Sequence, residues 1–228
     1  FPTSVERQRK AAEAQGDTEL ARDYEAVAAR LDRIACIERP CGGTIGRPAP
    51  VYAVVRADGD SMGAALDRAG AAVSEALQDF VERLRGGADD QIGIIADNNA
   101  VPLYASADEM IAICPIEDAL ALATAAQLAF RDAFSRAANK AQNNGDAADE
   151  AVLRSCSVSV AVTFAHRQVP LSWVLDSGTA LLGDVAKKRA GRNALALEIL
   201  EAGGRKAQWV APWTGADDAT EALMRLVN

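Results

Sequence analysis

Residues 52–63 read Tyr-Ala-Val-Val-Arg-Ala-Asp-Gly-Asp-Ser-Met-Gly. The apolar first half is typical of a buried strand, so a strand is predicted over residues 51–57. A helix is predicted over residues 61–85, because apolar residues recur there at helical spacing. The carboxylates of Asp58 and Asp60 therefore lie between a strand and a helix. There they either form a solvated turn, with Asp60 or Ser61 as the helix N-cap, or bind a cation.

A second acidic pair occurs about 45 residues later, in Tyr104-Ala-Ser-Ala-Asp-Glu-Met-Ile-Ala-Ile113. Asp108 and Glu109 stand between two small residues, Ser106 and Ala107, and a strand predicted over residues 110–114. Two adjacent carboxylates repel each other unless a cation is present. Small residues allow a phosphate or a base to approach the backbone. The pattern favours divalent metal binding by Asp58, Asp108 and Glu109, with the Gly59 carbonyl as a further ligand.

The order of elements from residue 51 is β-α-β-β-α-β, with a further helix and strand appended. This order predicts an α+β, ferredoxin-like palm of the nucleotidyl cyclase and polymerase type, an antiparallel sheet with helices on one face. Its first and third strands lie side by side, which brings the two acidic pairs to one edge. The remaining predictions are apolar runs at 92–96 and 101–104 around a hairpin turn at 97–99, helices at 117–138 and 172–189, strands at 155–164 and 194–200, and a loop at 139–150.

The chain is predicted to divide into three parts. Residues 1–50 hold an N-terminal helix, over 5–35, and a Gly/Pro-rich linker; residues 51–205 are the palm; residues 206–228 are a tail with a short helix over 216–227. Within the linker, Cys36 and Cys41 flank four residues, a spacing that zinc hairpins use. A zinc site and two ordinary thiols remain alternatives.

Composition limits the function classes. Half of the 228 residues are apolar, enough for a sizeable core. The formal charge of −8 argues against nucleic acid binding over the whole surface. A basic cluster, Lys187-Lys188-Arg189 with Arg192, either stabilises a helix C-terminus or contacts phosphates. No apolar run is long enough to span a membrane, and the first residues lack a signal-peptide pattern. A cytoplasmic, reducing compartment is expected.

Taken together, the motifs resemble a known family, the large subunit of type III CRISPR effector complexes, most closely its III-B form. Residues 57–63 resemble the family's Asp-Gly-Asp-Asn-Met-Gly motif, and residues 104–115 its Tyr-Ala-Gly-Gly-Asp-Asp segment. Residues 157–171, with Ala165-His166 and Pro170-Leu171, are similar to its Ser-Ala-Gly-Ile-Ala-Ile-Ala-His…Pro-Leu stretch. Residues 186–194 are similar to its Ala-Lys…Gly-Arg-Asn-Ala stretch, and residues 1–4 to an upstream Phe-Pro-Ser-Thr element.

The resemblance implies a palm that polymerises ATP into cyclic oligoadenylate when its complex binds target RNA. Asp58, Asp108 and Glu109 would be catalytic and would hold two Mg²⁺ or Mn²⁺ ions with Gly59. Implied partners are ATP, other effector subunits and guide or target RNA; a homodimer is left open. The implied nucleotide contacts are Lys187 on the triphosphate together with Gly59, Asp60, Ser61, Met62, Gly63, Ser106, Ala107, His166 and Arg192.

The sequence departs from the family pattern at the second acidic pair. Ser106-Ala107 replaces Gly-Gly, and Glu109 replaces the second Asp. The Ala107 Cβ occupies space where a nucleotide would approach the backbone. A non-catalytic palm that serves as a scaffold in an RNA-guided complex is therefore the alternative to the enzyme.

Overall fold

The computed structural model describes residues 2–35, 49–86 and 92–213 and divides the chain into two compact units, Phe1–Pro50 and Val51–Asn228. In the first unit the chain forms two helices, α1 (Pro2–Ala14) and α2 (Thr18–Ala35), where one helix was predicted. Gly16 has a φ of +75°, a conformation that ends a helix. The Asp17 side chain then accepts a 2.9 Å hydrogen bond from the Leu20 N–H and so caps the start of α2.

The second unit contains the predicted palm. Its strands are β1 (Val51–Asp60), β2 (Val101–Ser106), β3 (Glu109–Cys114), β4 (Ser157–His166), β5 (Ala194–Glu201) and β6 (Gly204–Pro212). Its α-helices are α3 (Met62–Arg85), α4 (Ile94–Asp97), α5 (Ala119–Asn143), α6 (Ala147–Ser155) and α7 (Leu171–Ala180), and a π-helix (Leu181–Arg189) continues α7.

The strands form one sheet in the order β2-β3-β1-β4-β5-β6. The first four strands of this order are the ferredoxin-like arrangement, with β1 antiparallel to both β3 and β4. The mixed α+β fold and the central position of β1 confirm the prediction. The appended strands differ from it: β5 runs parallel to β4, and β6 pairs antiparallel with β5. The parallel pair requires a crossover connection, which α7 and the π-helix provide.

Helices cover both faces of the sheet, so the prediction of helices on one face is wrong. The main core lies between α3, α5 and one face, which includes Val55 and Val162. The crossover packs on the other face, where Ala161 contacts Leu181 and Val185 of the π-helix. Because side chains alternate along a strand, β4 buries residues on both faces and reads as a nearly continuous apolar run.

Several local predictions also differ. Residues 92–96 are not a strand, because Ile94–Asp97 form α4, and the turn at 97–99 is not a hairpin turn. The 139–150 region is not a loop: α5 continues to Asn143, and Asp146 caps α6 by accepting from the Asp149 N–H. β6 covers residues assigned to the tail, which is possible because it needs only a hairpin from β5. The predicted helix at 216–227 lies outside the described residues.

Of the helices within the described ranges, none combines the length and the apolar character needed to cross a membrane.

Candidate functional site

Asp58 and Asp108 meet across Gly59. Asp58 pairs with Glu109 in the register of β1 and β3, and the Gly59 N–H donates a 3.1 Å hydrogen bond to the Asp108 carbonyl. A Cβ on Gly59 would lie 2.9 Å from the Asp108 Cβ and 3.0 Å from its Oδ2. Glycine is therefore required for the hairpin tip to lie this close to β1. Partial burial raises the pKa of Asp108, and the charge of Asp58 and a hydrogen bond with it raise it further.

Lys187 places an ammonium group on this edge of the sheet. Its Nζ donates to Asp58 Oδ2 at 2.7 Å and to the Gly59 carbonyl at 2.9 Å, and its side chain is only 17% exposed. Lys187 belongs to the π-helix, a rare conformation that is frequent at functional sites. A carboxylate and a carbonyl that converge on a cation are the kind of oxygen donors that a divalent metal also takes.

Asp60 is buried under the site. The residue is 5% exposed and accepts hydrogen bonds from the Ser157 and Ser159 hydroxyls, both at 2.8 Å, and from the Asn193 N–H at 2.9 Å. Its Oδ1 also lies 3.8 Å from Lys187 Nζ. Its oxygens therefore join β1 to β4 and to the loop after the π-helix, and the contact of Asp60 with nucleotide stays a prediction. Asp60 is not the helix N-cap, because that position is Ser61.

Glu109 turns away from Asp58 toward Arg56. The two residues form an ion pair at 3.0 Å between Arg56 Nη2 and Glu109 Oε1. Arg56 also donates to the Thr179 hydroxyl at 2.7 Å and, at 3.4 Å, to the Leu175 carbonyl on α7. Arg56 and Asp58 share a face of β1, because side chains two residues apart point to the same side. Glu109 thus lies beside the site, with its carboxylate held by an arginine.

The other residues predicted at this edge differ in access. Ser61 is exposed at the start of α3, with a φ of 60° and without a side-chain cap. Met62 is buried against Gly59, whereas a Cβ on Gly63 would contact nothing within 4 Å. Ser106 and Ala107 lie in the two-strand hairpin, and Ala107 has a φ of 51°. That conformation favours glycine in a two-residue hairpin, and glycine is the residue that the related motif has at the position of Ala107.

Two predicted site residues are not in this cluster. His166 pairs with Val51, whereas Asp58 pairs with Ser159 on the same strand. Seven residues at about 3.3 Å each separate them by about 23 Å, so the structure does not bring His166 to the site. Arg192 is exposed in the loop after the π-helix, with a φ of 74°, and within the described ranges no hydrogen bond or ion pair joins it to the acids. The predicted zinc ligands Cys36 and Cys41 lie outside the described residues.

Within residues 2–35, 49–86 and 92–213, no three His, Cys, Asp or Glu side chains are grouped as metal ligands. The donors nonetheless fit one divalent ion if Lys187 moves, because Asp58 and the Gly59 carbonyl already surround a cation and Asp108 is adjacent. Sequence reasoning missed Arg56, Ser157 and Ser159. Arg56 could have been found from its position two residues before Asp58, but the serines depend on the register of β4.

The model of a protein family described as Cas10/Cmr2, second palm domain, matches residues 51–196. Among solved structures, the chain is similar to a Csm1-Csm4 cassette in complex with cA4, with 16% identity and a TM-score of 0.40 over 69% of this chain and 23% of the solved one. The chain is also similar to the cassette in complex with pppApA, with 16% identity and a TM-score of 0.42 over 72% of this chain and 22% of the solved one. For Csm1 in T. onnurineus the identity is 16% and the TM-score is 0.38, over 69% of this chain and 23% of the solved one. The chain thus spans under a quarter of the length of these structures. No curated protein matches it.

Proposed function

Because the chain belongs to the family of the Cas10/Cmr2 second palm domain, we propose that it is a nucleotidyltransferase palm. It would convert ATP to cyclic oligoadenylate within a type III CRISPR effector complex, together with other effector subunits and guide or target RNA. The observation that supports this most directly is the meeting of Asp58 and Asp108 across Gly59, with the Lys187 ammonium on Asp58 Oδ2 and the Gly59 carbonyl.

The protein-held metal would take Asp58, the Gly59 carbonyl and Asp108 as ligands. Two Mg²⁺ or Mn²⁺ ions, when bound, would lower the pKa of an attacking 3′-hydroxyl and neutralise charge on the leaving pyrophosphate. The raised pKa of Asp108 supports a site built for a cation, since burial and the nearby Asp58 make its ionised form costly without one.

Lys187 would change partners when ATP and metal bind. Its Nζ occupies the cation position between Asp58 and the Gly59 carbonyl, so a metal and this ammonium compete for the same oxygens. Once displaced, the ammonium would bind the triphosphate as a point charge. Gly63, with open space around it, would leave the start of α3 accessible to the same phosphates.

If Lys187 exchanges with the metal in this way, its substitution should change the affinities for metal and for ATP in opposite directions. Lys187→Met would increase the affinity for Mn²⁺ without nucleotide, because the competing cation is gone, and would decrease the affinity for ATP. Lys188→Met is the matched control, because Lys188 is exposed and pairs with Asp184 at 2.7 Å, away from Asp58. Calorimetric titration with Mn²⁺ and with ATP measures both. Weaker Mn²⁺ binding in Lys187→Met would contradict the exchange.

Turnover is tested by incubating the chain with labelled ATP and Mn²⁺, alone and assembled with effector subunits and target RNA. We expect a cyclic oligoadenylate product that disappears in Asp108→Ala and persists in Lys188→Met. A product that persists in Asp108→Ala would exclude this site as its source.

A non-catalytic palm scaffold is the second candidate. It is favoured by Ala107, whose φ of 51° and added Cβ are at the hairpin tip where the related motif has glycine. The scaffold gives no product under any RNA or partner condition, yet assembles into the complex. Ala107→Gly distinguishes the two, because it would increase turnover in the enzyme and leave the scaffold inactive.

A further inference from the structure

Arg56 connects the candidate site to the helix above it. Its guanidinium contacts Glu109, the Thr179 hydroxyl and the Leu175 carbonyl, and its side chain is only 13% exposed. Gly178 leaves little space beside this side chain, because a Cβ there would lie 3.4 Å from the Arg56 Cδ and 3.3 Å from the Thr163 hydroxyl. The arginine is thus fixed between β1, β3 and α7.

The contacts divide the acids of the site into two groups. Glu109 is neutralised by a guanidinium that three further constraints hold in place. Asp58, in contrast, pairs with the ammonium of Lys187, a flexible side chain whose hydrogen bonds to the described part of the chain go to Asp58 and the Gly59 carbonyl. A metal can displace a lysine that rotates away, whereas displacing Arg56 would leave a buried cation without its carboxylate.

We infer that Arg56 replaces a second protein-held metal in this palm and that Glu109 is a structural anchor, not a metal ligand. The inference rests on the proposed function. The chain by itself binds one divalent ion, through Asp58, Gly59 and Asp108, and a second ion enters only on the nucleotide.

The test counts Mn²⁺ bound to the full chain without nucleotide, by electron paramagnetic resonance of free Mn²⁺. We expect one ion on the wild-type chain and an affinity about tenfold or more lower in Asp108→Asn, since even outer partners of metal ligands contribute tenfold or more. Glu109→Gln, a matched carboxylate-to-amide change on the next residue, is expected to lower the affinity clearly less than Asp108→Asn does, because the Glu109 carboxylate is already paired with Arg56. Arg56→Met is expected to release Glu109 and add a second ion.

Three results would overturn the inference: two ions on the wild-type chain, an equal loss of affinity in Glu109→Gln and Asp108→Asn, or no added ion in a folded Arg56→Met. The Glu109→Gln comparison remains decisive if Arg56→Met does not fold. These results are independent of the labelled-ATP assay, in which failure of the proposed function would appear as absence of product. A wild-type chain that makes product but binds two ions retains the function and loses the inference.

Thermal stability shows whether the Glu109 carboxylate holds Arg56 in place or has no structural role. Glu109→Gln is expected to lower the melting temperature, because it leaves the Arg56 guanidinium buried without its charge partner. The double variant Arg56→Met/Glu109→Gln is expected to recover much of that loss. Equal melting temperatures for the wild-type chain and Glu109→Gln would contradict the anchor.

Discussion

Substitution of Gly59 by alanine tests the geometry on which the site depends. The added Cβ would lie 2.5 Å from the Met62 Cγ and 2.9 Å from the Asp108 Cβ. Met62 can change rotamer, but the Asp108 Cβ is fixed to the backbone of the hairpin. The hairpin tip must therefore retreat by about 0.5 Å or more to restore ordinary contacts, and the 3.1 Å hydrogen bond from the Gly59 N–H to the Asp108 carbonyl lengthens with it.

The expected cost follows from overpacking. Forcing an extra carbon into a packed site costs about 1–3 kcal/mol, and removal of a strand glycine returns about 0.5–1 kcal/mol. The difference between the midpoints of these ranges is a net loss of about 1 kcal/mol, which corresponds to a melting temperature about 2–4 °C lower for a chain of this size. Because the retreat also separates Asp108 from Asp58, Mn²⁺ affinity should fall in parallel.

Gly63→Ala is the matched control, four residues along on α3. Its Cβ would meet nothing within 4 Å, so the helix should gain about 0.5–1 kcal/mol from the change. Thermal unfolding in EDTA, followed by tryptophan fluorescence, reports on the palm, since Trp173, Trp209 and Trp213 all follow residue 51. A Gly59→Ala chain as stable as Gly63→Ala would refute the close approach of the two acids.

Three further predictions concern single residues. Ala107→Gly should stabilise the chain by about 0.5 kcal/mol, or about 1–2 °C on thermal unfolding, because relief of a left-handed alanine slightly exceeds the added chain entropy; a lower melting temperature would contradict the turn geometry. Asp108→Asn should raise the free energy of unfolding in EDTA at pH 7, since burial and Asp58 raise the pKa of Asp108 and so disfavour its ionised form in the folded state. In urea titrations this increase in the free energy of unfolding should vanish below the ordinary pKa of aspartate, where the wild-type carboxyl is protonated in both the folded and the unfolded state. An increase that does not depend on pH would contradict a cause in the ionisation of Asp108. Burial raises the pKa of Cys114 to about 12, which leaves about one thiolate in ten thousand at pH 8. Peptide mapping after treatment with iodoacetamide should therefore find Cys114 unmodified in native protein and modified in urea. Rapid labelling of the native protein would place Cys114 at the surface.

The prediction of the palm from sequence succeeded where local pattern and topology agree. The apolar runs before Asp58 and after Glu109 predict strands, and the β-α-β-β-α-β order makes these strands neighbours. The two acidic pairs therefore had to meet, although each is ambiguous alone. The prediction failed at short segments such as 92–96, where periodicity does not separate a strand from one helical turn.

Register and side-chain direction account for the remaining differences. His166 and Asp58 belong to neighbouring strands, but their antiparallel register places them at opposite ends. Asp60 and Asp58 are two residues apart and chemically alike, yet Asp60 is enclosed by Ser157 and Ser159 while Asp58 remains half-buried beside Lys187. No pattern within residues 52–63 distinguishes the two carboxylates, because the groups that enclose Asp60 come from about 100 residues away.

The sequence by itself determined three things. Its motifs indicate the family, its local apolar patterns give the order of the elements, and that order fixes the edge of the sheet at which the acids collect. Only the tertiary structure decided which cation neutralises which acid: Lys187 on Asp58 and Arg56 on Glu109. Ion pairing depends on distances of a few ångströms between side chains from separate elements, and such distances are set by the packing of the π-helix and α7 on the sheet rather than by spacing along the chain.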